Sequence, residues 1–226
     1  MNKNPIAKPF TKRARGFTLT ELLVVILIIA VLAGVGFPVA NKMRSRAADN
    51  QCLSQLRSWS NAIALYSADS SGKVECRKWN SIGEADGSVY KEYFSGDGSH
   101  ESGFQTLAKM RCCPALKGDE AVAGNGNSLT AYTMTDPTGS SAGKKEAGYN
   151  LSQIPTPSRF VIMIEALGGK AYIQTAGEFA SRVVPLGKEP DQRHKEGAIN
   201  ALMGDFSVVS HSSKDVTKWA TIWTTY

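Results

Sequence analysis

Glu21 stands directly ahead of Leu22–Ala40, nineteen residues without a charged or strongly polar side chain. An ionised carboxylate fully inserted in a bilayer costs on the order of 2.5–3.5 kcal/mol, so an acid at that lip either finds a partner or stays solvated at the interface. The four cysteines, Cys52, Cys76, Cys112 and Cys113, are the other reactive groups. An even number suits disulfides in an exported chain, and four allow three pairings. Adjacent Cys112 and Cys113 would be strained if bonded to each other. A bond from Cys76 to Cys112 or Cys113 would instead staple an irregular stretch. No Cys-x-x-Cys pair is present, which argues against a zinc ribbon.

His100, His194 and His211 are the histidines. His194, Asp205 and Ser210 can be drawn as a triad, but triads are recognised by geometry and not by the presence of three residue types. No Gly-x-Ser-x-Gly, His-Glu-x-x-His or phosphate-loop pattern occurs. Asp69, Glu75, Asp86, Asp97 and Asp119 raise the question of calcium. Asp97-Gly98-Ser99 lacks the alternating acids and closing glutamate of an EF-hand, so these acids are expected to be solvated in loops. The expectation is therefore a protein that is not an enzyme and holds no metal and no cofactor.

Charge narrows the partners. Of 26 lysines and arginines, five (Lys3, Lys8, Lys12, Arg13 and Arg15) fall in residues 1–16, which contain no acid. The other 21 face 20 acids, so the remainder carries a charge of +1. A basic surface that would bind nucleic acid is not expected.

The apolar run is the element that must position Glu21. As a helix it spans about 28 Å, close to the ~30 Å hydrocarbon core of a bilayer. It is too long for the apolar region of a secretory signal peptide, and Pro38-Val39-Ala40 is a poor cleavage site. Five positive charges ahead of the run, against Lys42, Arg44 and Arg46 beyond it, favour a cytoplasmic N-terminus. Pro38 removes a helical hydrogen bond and should kink or locally melt the helix, with Gly34 and Gly36 lowering its stability further. Beyond Lys42, Cys52, Leu56, Trp59, Ile63 and Tyr66 recur at intervals of four, three, four and three. That stripe predicts an amphipathic helix continuing to about Tyr66 and packed against a soluble domain. Ser70-Ser71-Gly72 should end it.

Arg15-Gly16-Phe17-Thr18-Leu19-Thr20-Glu21-Leu22-Leu23, with the run that follows, resembles the signal of type IV prepilins and type II secretion pseudopilins. The shared features are a basic leader, a glycine before the cut, a phenylalanine as first mature residue and a glutamate as fifth. Thr20 departs from the branched apolar residue more usual there. The resemblance implies cleavage after Gly16 by a membrane-embedded prepilin peptidase and N-methylation of Phe17. It further implies that the new Phe17 ammonium neutralises Glu21, within a subunit or between neighbours, as subunits assemble. Pro38 falls where many pilins carry proline, and is assigned with Glu21 to assembly. Residues 48–69 resemble the same stretch of a group of pilin-like proteins in which Cys-Pro often follows, as at Cys113-Pro114. That group closes with a histidine, nine residues and Asp-Gly. His194 and Asp205 resemble the motif with a spacer of ten and Phe206 in place of the glycine.

The expected fold is α+β and pilin-like: a long N-terminal helix, its first half transmembrane, packed on a small antiparallel sheet. Four segments follow: a cleaved cytoplasmic leader (1–16), a transmembrane and assembly helix (17–40), its amphipathic continuation (41–70) and a periplasmic or extracellular domain (71–226). Phe160–Glu165 and Ala171–Thr175 read as strands, and Ala198–Met203 with Phe206–Ser210 as a hairpin closed by the two-residue turn Gly204-Asp205. The expected role is a structural filament subunit that partners itself, membrane lipid and an inner-membrane assembly platform. The alternative is an uncleaved, single-pass membrane-anchored periplasmic binding module or enzyme.

Overall fold

The structure is a computed structural model that describes residues 17–76, 88–94, 106–107, 109–111, 113–115, 132–137, 148–167, 172–183, 185 and 193–212. The chain divides into two compact units, Met1–Arg44 and Ser45–Tyr226.

Helix α1 runs from Leu19 to Asp69, passing through Pro38 without interruption. In the first unit its side chains from Leu22 to Ile29 are each 46–60% exposed. Among the described residues no helix is long and apolar enough to cross a membrane. Side chains are described continuously only from Phe17 to Gly34, so the run Leu22–Ala40 lies partly outside them.

In the second unit the expected stripe is the buried face of α1. Cys52, Leu56, Trp59 and Ile63 are fully buried, and Tyr66 packs at the edge of the same cluster. The helix stops where predicted. Ser71 and Gly72 take positive φ, and the Gly72 N–H reaches back to the Ser67 carbonyl at 2.7 Å, closing the last turn as a Schellman cap does.

Strand β1 (Lys73–Glu75) pairs antiparallel with β3 (Gly148–Asn150). A five-stranded sheet is ordered β5-β2-β4-β6-β7, from Tyr172–Ile173, Tyr132–Thr135, Val161–Glu165, Ala198–Met203 and Val208–Ser212. Its pairs are antiparallel except β2 with β5, which are parallel. The fold is thus α+β, with a mixed sheet in place of a purely antiparallel one. One face of the sheet contributes Met134, Ile162 and Leu202 to the cluster with α1. The other contributes Val161, Ile164, Ile199 and Ala201 to a cluster with Phe179 of the short helix α2 (Ala176–Arg182). Every residue of β4 is buried, as expected for a strand covered on both faces.

Two local expectations are corrected. Glu75 is not a solvated loop acid: it is a buried residue of β1, whose backbone N–H and carbonyl both bond the Tyr90 hydroxyl. The β6–β7 turn has three loop residues rather than two. The Phe206 N–H bonds the Met203 carbonyl over Gly204-Asp205, and Phe206 then takes φ 65° before Ser207 pairs with Met203. That left-handed position suits glycine and strains a bulky residue. Phe206 is held there by packing against the core and by the Ser60 hydroxyl, which donates to its carbonyl at 2.8 Å.

Candidate functional site

Two places bring chemistry-bearing side chains together. The first is the start of α1. Thr18 precedes the helix and Glu21 is its third residue, the spacing of a capping box. Glu21 Oε2 accepts from the Thr18 N–H at 2.8 Å and from its hydroxyl at 2.7 Å, while the Glu21 N–H donates to Thr18 Oγ1 at 3.3 Å. The Glu21 carboxylate is thus hydrogen-bonded by Thr18 of the same chain. Phe17 is largely exposed. Gly16 and the rest of the leader lie outside the described residues, and at Pro38 only the backbone is described.

The second is a buried cluster where α1, β4, β6 and the Cys113 segment meet. Asp49 and Cys52 lie one turn apart on α1. Cys113 is bonded to Cys52, with 5.2 Å between their Cα atoms. Of the two expected staples, Cys76 to Cys112 or to Cys113, this corrects the second, because docking of the α1 stripe brings Cys52 to that segment, while the first falls on a residue outside the described ones. Cys76 is buried elsewhere in the core, and Cys112 lies outside the described residues.

Glu165 closes β4 and faces Asn200 of β6. The Asn200 N–H donates to Glu165 Oε2 at 2.9 Å and its side-chain amide to Oε1 at 3.1 Å. His194 enters from the turn before β6, which Glu196 and Gly197, both at positive φ, bend sharply. Its Nε2 lies 2.7 Å from Glu165 Oε1, and its Nδ1 lies 2.7 Å from Asp49 Oδ1. Burial alone would lower the imidazole pKa, but the hydrogen bonds and charges of Glu165 and Asp49 outweigh it and raise it above its ordinary value. The imidazole is clamped between two carboxylates. His194 Nε2 also lies 3.7 Å from Cys113 Sγ.

The ligand-type atoms of Cys52, Cys113, Glu165 and His194 all lie within 4.8 Å of one another, and all four residues are buried. With Sγ, Sγ, Oε1 and Nε2 this donor set could hold a divalent cation of the zinc type if both sulfurs were thiolates. The triad His194, Asp205 and Ser210 does not form. His194 is committed to Glu165 and Asp49, while Asp205 accepts from the N–H and hydroxyl of Ser207 in the hairpin turn. Those bonds hold the Asp205 carboxyl below its usual pKa.

Sequence reasoning singled out His194 but missed Asp49, Glu165 and Asn200. Asp49 is 145 positions from His194 and Glu165 is 29, so no local spacing links them. Sequence reasoning missed the Thr18–Glu21 cap as well, although the Thr-x-x-Glu spacing over four consecutive residues is the local signal of a capping box.

No curated protein and no solved structure matches the chain. A family model does match residues 11–37, covering Gly16 and Phe17, the Thr18–Glu21 cap and most of the apolar run. The chain carries the prokaryotic N-terminal methylation motif, the prepilin-type signal of type IV pilins and pseudopilins.

Proposed function

We propose that this chain is a non-enzymatic structural subunit of a type IV pilus-like or type II secretion pseudopilus filament. Prepilin peptidase cuts between Gly16 and Phe17 and methylates the new amine, and the subunit waits in the inner membrane with its second unit on the periplasmic side. An inner-membrane platform then draws it into a periplasmic or extracellular filament. The observation that carries this reading is the N-terminal helix itself. Eight consecutive side chains from Leu22 to Ile29 circle more than two turns and are all exposed and apolar. Such a helix is stable only against lipid or against other helices of its kind.

The cap at Glu21 supports the same reading. Thr18 satisfies the carboxylate while the subunit is alone. The Phe17 ammonium that cleavage creates then supplies the opposite charge when helices pack, and a paired buried carboxylate is far less costly than a lone one.

The test is the intact mass and N-terminal sequence of protein extracted from membranes. The expected chain begins at methylated Phe17. A chain retaining Met1 in cells with active peptidase overturns the filament reading and leaves an uncleaved anchor. Gly16→Ala should still be cut, whereas bulkier residues at 16 should block cutting. Glu21→Ala should be cut yet assemble poorly, and normal filaments from that strain would refute the pairing of Glu21 with Phe17.

A further inference from the structure

The buried cluster of the second unit contains more than a filament subunit needs. A disulfide, an imidazole and two carboxylates converge where a single apolar side chain from each element would pack as well. We infer that this point is a redox-gated metal site: with the Cys52–Cys113 bond reduced, the two thiolates, His194 Nε2 and Glu165 Oε1 bind one zinc-type divalent cation.

Three observations converge on it. First, the donor atoms are already gathered, all within 4.8 Å of one another. Ligands around one tetrahedral zinc, at about 2.0–2.3 Å from the ion, lie under about 4 Å apart, so small side-chain shifts complete the geometry. Second, His194 is held as metal-bound histidines are. Asp49 Oδ1 takes its Nδ1 proton at 2.7 Å, which turns Nε2 toward Glu165 and Cys113. A carboxylate behind the ligating imidazole sets its tautomer and raises its basicity. Third, Glu165 is itself oriented, by the Asn200 N–H on Oε2 and the Asn200 amide on Oε1.

The chemistry balances. A dithiol reductant gives two electrons and two protons, the Sγ–Sγ bond breaks, and the reductant leaves as a disulfide. Binding of the cation displaces the two thiol protons, so metal affinity rises with pH. All four ligand residues are buried, so the ion has no open position for substrate and the site is structural. Disulfide and metal are then two exclusive ways of tying α1 to the Cys113 segment. The first serves in an oxidising compartment and the second wherever dithiols keep cysteines reduced.

The test uses the full chain in detergent and is independent of N-terminal processing. Oxidised protein, and protein reduced by a phosphine under chelation, are each titrated with zinc alone and with cobalt(II) alone. The reduced protein should bind one zinc per chain and give a thiolate-to-cobalt charge-transfer band, while the oxidised protein gives neither. Asp49→Asn removes no ligand and should weaken zinc binding by about 10–100-fold. Cys113→Ser leaves one thiolate and should roughly halve the thiolate band and weaken zinc binding. If reduction unfolds the metal-free chain, recovery of its circular dichroism on adding zinc supports the site, and failure to recover overturns it. Reduced, folded protein without the cobalt band overturns it, as does equal zinc affinity in the oxidised protein or in Cys113→Ser.

Discussion

Glu165 shows how much one buried group can decide. Its carboxylate is fully buried and accepts from both the backbone and the side chain of Asn200 while facing His194. Glu165→Gln keeps the shape but takes the carboxylate's charge away from His194. Breaking a buried pair from one side costs about 3–5 kcal/mol. Urea unfolding of the disulfide-bonded protein should therefore show a loss of that size, read as a lower midpoint at unchanged slope. Tyr93 carries a different signal. Partial burial first, and then its hydrogen bond to Asp69 at 2.9 Å, push its phenol up to about 12. A folded-state pKa above the unfolded value means that the stabilisation is complete below about pH 10. It is then lost as pH rises through about 12. Spectroscopic titration of phenolate should show one tyrosine moving to lower pH in Asp69→Asn, and an unchanged curve would remove Asp69 as a cause.

At the scale of elements, the amphipathic half of α1 and its staple hold the second unit together. Trp59 is fully buried and packs edge-on against Phe94 at 4.7 Å between ring centroids. Its indole N–H donates to the Met110 carbonyl at 3.0 Å. Trp59→Ala should lose about 3–5 kcal/mol through the cavity it leaves, measurable by the same denaturation. The Cys52–Cys113 bond spans 61 residues, and its removal by Cys52→Ser should cost about 2–4 kcal/mol without metal. For a domain of this size each kcal/mol shifts Tm by about 2–4 °C, so calorimetry resolves it. The stripe from Cys52 to Tyr66 was legible in the sequence because helical periodicity is a local property of the chain. The bridge was not, since four cysteines permit three pairings and only the docked helix selects Cys52.

At the scale of the whole molecule, the sequence divides its tasks along the chain. Residues 1–16 carry five of the six net positive charges, and cutting after Gly16 leaves a nearly neutral subunit. Isoelectric focusing of leader-retaining and processed protein should separate them by more than any other single modification, with the processed form the more acidic. The sequence alone determined the apolar helix and the end of α1 at Ser71-Gly72 and, through its resemblance to prepilin signals, the processing signal. The helix and its end depend on residues within a few positions of one another, so composition and spacing state them outright. The tertiary structure alone decided the Cys52–Cys113 bridge, the parallel edge strand β5 and the meeting of Asp49, Glu165, His194 and Asn200. Those contacts join positions from 49 to 200 of the chain, and no local pattern encodes them. They exist because burying the face of α1 against the sheet brings these polar groups out of water together, and a buried polar group must find its partner among whatever the fold places beside it.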